Sequence, residues 1–405
     1  MEMERQLTEQ YIREHRTDDV RKLALASHPQ GVDIQYALTQ ISGWQAARSK
    51  LPLWADTDGI IYPKHLPLEQ CTSQQIAQYK AEFIENLIGK NFRMADLTGG
   101  FGVDCFFISR NAARTNYNEM SAELSNIVAQ NYKALGRQNI EVSCSDAKEF
   151  LSNQRDDSFD LLYLDPARRG NSVQKLISIS DCQPDATALQ ENLLRVANHV
   201  MLKLSPMLDI SRALTEMRHV SHVMVIGLEG ECKEITLMIQ RDFNGEPVIE
   251  AVDIDAQGNP GTVISSTKSA ENVQPLPIAT PKQLQPGTFI SEPSAPYMKS
   301  ALFRTMAAQT NTALLHPDTH LFWSQNKPTE FPGRTFILEG IIPFDKRSLS
   351  KLIKTQANLS VRNFPESAPQ LQQKLKLRDG GPRYLIATTL SDGKRILLDL
   401  QKENK

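Results

Sequence analysis

The stretch Asp96-Leu97-Thr98-Gly99-Gly100-Phe101-Gly102-Val103-Asp104 decides how this chain is read, because it stands where an apolar run gives way to a helical pattern. Glycines in such a place allow a tight turn and a close approach of backbone to ligand. The N-terminus of the helix that follows favours an anionic group. A turn of this composition also occurs as a plain strand-to-helix connection, so its neighbours must decide. Short apolar runs stand at 94–97, 115–118, 140–144, 159–164 and 199–204, separated by helical segments such as 121–136. Strands alternating with helices predict right-handed βαβ units and a parallel sheet. Two later runs, 220–228 and 234–240, are separated only by the short Glu229–Lys233 segment, which predicts an antiparallel hairpin closing the sheet.

Three acids fall at consecutive strand ends. Asp96 ends the first and is placed to pair with a cationic group. Glu119 ends the second, about twenty residues beyond the glycines, where a carboxylate accepts hydrogen bonds from ribose hydroxyls. Asp146 closes the third, placed for an adenine amino group, although loop acids also serve as helix caps. A nicotinamide-dinucleotide reading would use Glu119 as well, so Asp146 and the fourth strand separate the two. That strand ends in Tyr163-Leu164-Asp165-Pro166-Ala167-Arg168-Arg169-Gly170, at the edge where open α/β sheets bind ligands. Asp-Pro stiffens the backbone there and suits a positioned, in-line group transfer.

At 405 residues the chain exceeds the roughly 250–300 at which one core stops growing. The patterning predicts a helical region over 1–90, the parallel sheet over 91–245, a connecting α+β region over 246–333 and a small α+β domain over 334–405. Within the connecting region the expectation is irregular chain around one hairpin (248–261), then a single helix over 297–309. Five scattered cysteines without a C-x-x-C pair argue against a zinc site or disulfide framework and fit a reducing, cytoplasmic setting. No apolar run reaches the ~18 residues of a membrane helix. Net charge is −2, yet residues 334–405 carry fourteen Lys and Arg against seven Asp and Glu. That asymmetry can form a footprint for phosphates.

These motifs are similar to those of bacterial class I methyltransferases carrying a C-terminal THUMP-like domain, a family assigned to RNA modification. The resemblance runs from Pro67-Leu-Glu-Gln70-Cys-Thr72-Ser73 through Tyr79-Lys80 to Arg378-Asp-Gly-Gly-Pro-Arg383-Tyr384. It implies an α/β fold, a Rossmann-like methyltransferase sheet with a helical N-terminal segment and small C-terminal α+β domains, using S-adenosylmethionine as cofactor. It places cofactor contacts at Asp96, Gly99, Gly100, Glu119 and Asp146, joined by Thr98, Gly102 and Asp104 of the same turn. Gln70, Thr72 and Tyr79 match a segment over the cofactor's methionine end. Asp165 stands at the transfer site with Pro166, Arg168 and Lys203. Enzymes that methylate exocyclic amines carry an aromatic after Asp/Asn-Pro-Pro for stacking the flipped base; here Ala167 and Arg168 stand instead. Uridine C5 chemistry lacks its cysteine near Lys203-Leu-Ser205-Pro206. Ribose 2′-O-methylation would use a Lys-Asp-Lys-Glu set, for which Lys80, Asp165, Lys203 and Glu234 occur in order. The basic C-terminal module, with Lys351, Lys354, Arg362, Lys374, Lys376, Arg378, Arg383, Lys394, Arg395, Phe364 and Tyr384, is the expected RNA partner surface. A non-catalytic RNA-binding protein and a methyltransferase of small molecules or proteins are the alternatives.

Overall fold

The computed structural model of the chain describes residues 2–64, 71–168 and 178–402. Backbone contacts divide the chain into two compact units, Met1–Ser221 with Thr236–Gly245 and Ala256–Gly258, and His222–Ile235 with Glu246–Asp255 and Asn259–Lys405.

The first unit opens with helices α1 (Glu2–His15), α2 (Val20–Leu25), α3 (Ile34–Lys50) and α4 (Pro52–Ala55). Asp19 and Asp33 cap α2 and α3 by accepting backbone N–H groups, as short polar side chains do at helix starts. Helix α5 (Gln74–Ile88) is capped by Ser73 and stopped at Gly89, which takes φ +80. Its buried face carries Ile76, Ala77, Ala81 and Ile84, and also Lys80.

Strand β1 (Arg93–Asp96) runs parallel to β2 (Arg114–Asn118) on one side and β4 (Phe159–Leu164) on the other. Asp96 is level with both Tyr117 and Tyr163. Strand β3 (Ile140–Ser143) extends β2, and β7 (Ala197–Leu204) extends β4, both in parallel. Helices α6 (Val103–Ile108), α7 (Ala122–Ala134), α8 (Ala147–Ser152), α9 (Ala186–Val196) and α10 (Ile210–Glu216) connect or follow these strands. Between β4 and α9 lies a two-residue ladder of β5 (Ala167–Arg168) and β6 (Cys182–Gln183). The parallel βαβ reading therefore holds. Trp54, Phe106, Phe107, Tyr117, Tyr132 and Val128 form one buried cluster, which joins the N-terminal helices to the sheet.

Strands β8 (Val220–Leu228) and β9 (Glu231–Gln240) form the expected hairpin, with Gln240 N–H donating to the His219 carbonyl at 2.9 Å. The sheet order is β3-β2-β1-β4-β7-β9-β8. The hairpin does not close the sheet, contrary to expectation. In the second unit β10 (Val248–Ile254) pairs parallel to β8, and β11 (Ile264–Thr267) pairs antiparallel to β10. An apolar strand such as β8 has edge amides that need partners, and the alternating β10 supplies them.

The second unit's own sheet has the order β13-β14-β12-β15-β18-β17-β16, from β12 (Phe289–Pro293), β13 (Ala313–Leu314), β14 (Phe322–Ser324), β15 (Gly333–Pro343), β16 (Asn358–Arg362), β17 (Arg383–Thr389) and β18 (Arg395–Lys402). Three of these strands, β12, β13 and β14, lie where no strand was expected. The single helix expected over 297–309 is two, Ala295–Ser300 and Phe303–Thr310, broken at Ala301 with φ +58. The fold is thus a Rossmann-like α/β sheet with a helical N-terminus and a C-terminal α+β sheet.

Candidate functional site

The carboxyl ends of β1 to β4 meet at one cavity of about 310 Å³. Its shape comes from the glycine turn. Gly99 N–H donates to the Asn118 carbonyl at 2.9 Å, which pulls the turn onto β2. A Cβ on Gly99 would lie 2.1 Å from Cε2 of Tyr117, so only glycine fits. Gly102 takes φ +79, and a Cβ there would lie 2.4 Å from the Tyr132 hydroxyl. Those two tyrosines hold the turn from behind, donating to the Gly100 carbonyl at 2.6 Å and the Gly102 carbonyl at 2.9 Å.

The strand-end acids line the cavity. Glu119 accepts the Gly100 N–H at 3.0 Å and the Ser121 N–H at 2.9 Å, which ties the second strand end to the turn. Asp146 caps α8 through Lys148 N–H at 2.8 Å, and its other oxygen takes no hydrogen bond among the described residues. Asp96 is buried and accepts Thr98 N–H at 3.0 Å. Burial pushes its carboxyl well above the usual carboxylate range, against the pull of that N–H, and the negative neighbours Asp104, Asp165 and Glu119 add to the rise. Among the described residues none of these three acids forms an ion pair.

Behind them lies a buried polar network. Asp104 accepts from Thr72 Oγ1 at 2.6 Å and from the Tyr163 hydroxyl at 2.8 Å, and Lys80 Nζ stands 2.7 Å from its other oxygen. Burial works to raise the Asp104 carboxyl, but Lys80 and then Lys203 outweigh it and hold it below its ordinary value. At the rim Asp165 pairs with Lys203 at 2.6 Å, and its N–H donates to Thr98 Oγ1 at 2.6 Å. Burial lifts the Cys71 thiol, which also lines the cavity, to about 11.

Of the residues singled out in the sequence, Thr72, Asp96, Thr98, Gly99, Gly100, Gly102, Asp104, Glu119, Asp146 and Asp165 all line this cavity. Lys203 acts on it through Asp165, while Tyr79 is half-buried on α5 and Pro166 follows Asp165 outside the lining. Gln70 lies outside the described residues. Arg168 contributes backbone to β5, opposite Cys182, and its side chain lies outside what is described. In the four-residue set Lys80 pairs with Asp104 and Lys203 with Asp165, while Glu234 is a buried residue of the other unit. Sequence reasoning missed Tyr163, Phe101, Met120, Ser145, Gln183 and Pro184 as lining. A lysine on an otherwise apolar face, 76-77-80-81-84, was the one available signal for the buried Lys80 network.

In the second unit several cations named for RNA are already engaged. Arg362 and Arg334 clamp the buried Glu292, Arg383 grips Asp399 through two bonds of 2.7 and 2.6 Å, and Lys374 pairs with Glu366. Phe364 packs on Phe344 and Tyr384 on Phe336, so both rings belong to the packing. Lys351, Lys354, Lys376 and Arg378 are exposed and form no ion pair among the described residues. Their segments are joined by Lys354 N–H to the Leu375 carbonyl and Arg378 N–H to the Thr355 carbonyl.

Over its whole length the chain is similar to a Porphyromonas gingivalis W83 protein whose crystal structure is described as that of a candidate methyltransferase. The two are 31% identical, over 98% of this chain and 97% of that one, with a TM-score of 0.83. The chain belongs to that protein's family. Family models agree with the layout: residues 333–401 match a THUMP domain-like model, 289–332 a ferredoxin-like domain, and 72–218 the model described as conserved hypothetical protein 95. The family thus combines a class I methyltransferase fold with a THUMP-like C-terminal domain. Escherichia coli yhhF, described as a candidate methyltransferase, is 17% identical over 42% of this chain and 85% of its own, with a TM-score of 0.31. A Streptococcus mutans protein described as a candidate methyltransferase in complex with SAH is 13% identical over 40% of this chain and 96% of its own, at 0.30. Neither carries the assignment. No curated protein matches the sequence. No helix among the described residues is long and apolar enough to cross a membrane.

Proposed function

We propose that the chain is an S-adenosylmethionine-dependent methyltransferase acting on RNA, with transfer at Asp165. The observation that carries this reading is one cavity in which a glycine-lined wall faces three acids, Asp96, Glu119 and Asp146, that form no ion pair among the described residues. Such a set of acceptors fits a ligand that is cationic and rich in hydrogen-bond donors, as S-adenosylmethionine is through its sulfonium charge and its ammonium, hydroxyl and amino groups. Burial pushes the Asp96 carboxyl up, and an ammonium beside it would favour the charged form. Glu119 would accept from the ribose hydroxyls, Asp146 from the adenine amino group, and the backbone of Gly99 and Gly100 would line the wall a side chain would fill. When bound, the cofactor supplies an electrophilic methyl group.

The remaining chemistry is positioning. Lys203 holds the Asp165 carboxylate by a charge-assisted hydrogen bond, and Thr98 holds its backbone from the cofactor side. Asp165 thereby stands as a fixed acceptor for a donor group on the nucleotide. Support for RNA comes from the THUMP-like match and from Lys351, Lys354, Lys376 and Arg378, exposed on neighbouring segments and without ion pairs among the described residues. Calorimetry with S-adenosylmethionine tests the cofactor, and absence of binding would refute the reading. Nucleoside mass spectrometry of RNA from a deletion strain tests the substrate: one missing methylated nucleoside is expected, and an unchanged profile would rule RNA out.

A further inference from the structure

A second cavity in the first unit, of about 410 Å³, has no part in the site above. It opens between α1, α3, the segment Ala55–Tyr62 and Gln130 of α7, and its size falls in the ~300–1,000 Å³ range of ligand sites. Its walls are fixed. Gln40 and the backbone of Tyr62 exchange two hydrogen bonds of 2.8 Å, and Asn131 does the same for Ile61 at 2.8 and 3.0 Å. Trp44 is locked by its Nε1–H donating to the Ala55 carbonyl at 2.9 Å.

The lining combines positive charge with flat surfaces. Arg5, Arg13 and Arg16 line it from α1 and the residue just beyond, against two acids, Glu9 and Asp58. Glu9 is taken by Arg5 at 3.0 Å, and Arg13 and Arg16 have no ion pair among the described residues. The Arg16 guanidinium lies 4.8 Å from the centroid of the Trp44 ring, and Arg48 lies 5.1 Å from it. Tyr36 offers a ring that is 40% exposed. Tyr62, also in the lining, is buried and its hydroxyl has no hydrogen-bond partner among the described residues. Free guanidinium groups select an anion. Aromatic rings and stacked guanidinium planes select a planar group, as in the recognition of unpaired bases. One ligand that brings both is a nucleotide.

We propose that this cavity binds an unpaired nucleotide of the substrate RNA, its phosphate held by Arg13 and Arg16 and its base stacked on Tyr36. This rests on the RNA reading above, and it assigns substrate binding to the N-terminal helices as well as to the C-terminal module. The test is fluorescence anisotropy of labelled single-stranded RNA across a salt series, with calorimetric S-adenosylmethionine binding as the check on folding. Arg13→Glu/Arg16→Glu should weaken RNA binding tenfold or more. It should also flatten the log–log salt slope by roughly 0.7, the ~0.7 per neutralised phosphate of a single strand, because both arginines hold the same phosphate. Arg16→Lys keeps the charge but not the stacked plane, so it should weaken binding with little change in slope. Wild-type affinity and slope in the double variant would overturn the site while leaving the RNA reading intact. No RNA binding by the wild type would overturn both. Adenosine monophosphate competing at the same concentration as the oligonucleotide would make this a free-nucleotide site and overturn the proposal.

Discussion

Replacing Gly99 by alanine isolates the geometry on which the cofactor cavity depends. The added Cβ would sit 2.1 Å from Cε2 and 2.4 Å from Cζ of Tyr117. Ordinary carbon contacts are about 3.5 Å, so some 1.4 Å has to be found. Tyr117 has nowhere to go: it is fully buried, packs edge-on against Tyr132, and is pinned by its hydroxyl to the Gly100 carbonyl. Overpacking of this kind costs about 1–3 kcal/mol, and a buried hydroxyl deprived of its partner a further ~1–3 kcal/mol. A total near 3 kcal/mol is expected, about two orders of magnitude in the folding constant. Gly100→Ala is the control on the adjacent residue. Its Cβ would meet nothing closer than the Thr98 carbonyl oxygen at 3.8 Å, so only the left-handed φ of +54 resists it, at ~1–2 kcal/mol. Urea denaturation of both variants, with calorimetry for S-adenosylmethionine, measures the difference, and Gly99→Ala should also lose at least tenfold in affinity. Tyr117→Leu removes the clashing ring, so the double variant with Gly99→Ala should show favourable coupling of at least ~1 kcal/mol. Equal, mild effects at the two glycines, or no coupling to Tyr117, would refute the steric account.

Asp165→Ala should abolish methyl transfer to RNA while leaving S-adenosylmethionine affinity within a few-fold, as judged by transfer assays and calorimetry; loss of both would make Asp165 a cofactor ligand instead. Asp96→Asn should stabilise the free protein in a pH-dependent way. The folded state holds the Asp96 proton more tightly than the unfolded chain, so its contribution is complete below the ordinary value of 3.8 and is lost as pH rises toward the elevated one. The variant should therefore match wild type in acid and exceed it increasingly toward pH 8 in urea titrations, while binding cofactor poorly; a less stable variant at pH 8 would contradict the burial argument. Lys80→Met strands the Asp104 carboxylate in the interior and should cost ~3–5 kcal/mol, largely recovered by adding Asp104→Asn; a mild single variant would show that the pair is not a strut.

Much of the first unit was legible because its signals are local. The short apolar runs at β1, β2, β3, β4 and β7, the helical period of α5 with Ser73 and Gly89 at its ends, and the glycine turn each depend on residues a few positions apart. The acids at 96, 119 and 146 could be placed together because parallel strands linked by right-handed crossovers bring their carboxyl ends to one edge.

Burying polar groups was a different matter, since the partner that makes such burial tolerable comes from far along the chain. Strand β12 reads as loop in Thr288-Phe-Ile-Ser-Glu-Pro293, yet it is central to its sheet, because Ser291 meets Thr335 and Glu292 is held by Arg334 and Arg362. Lys80, read in the sequence as part of a Lys-Asp-Lys-Glu set, and Asp104, read as part of the cofactor turn, become one buried pair. The glycine turn itself shows the same division. Its composition allowed a tight turn with backbone open to close approach; only the tertiary structure decided why Gly99 must be glycine, by placing the ring of Tyr117, from the next strand, where a methyl group would be.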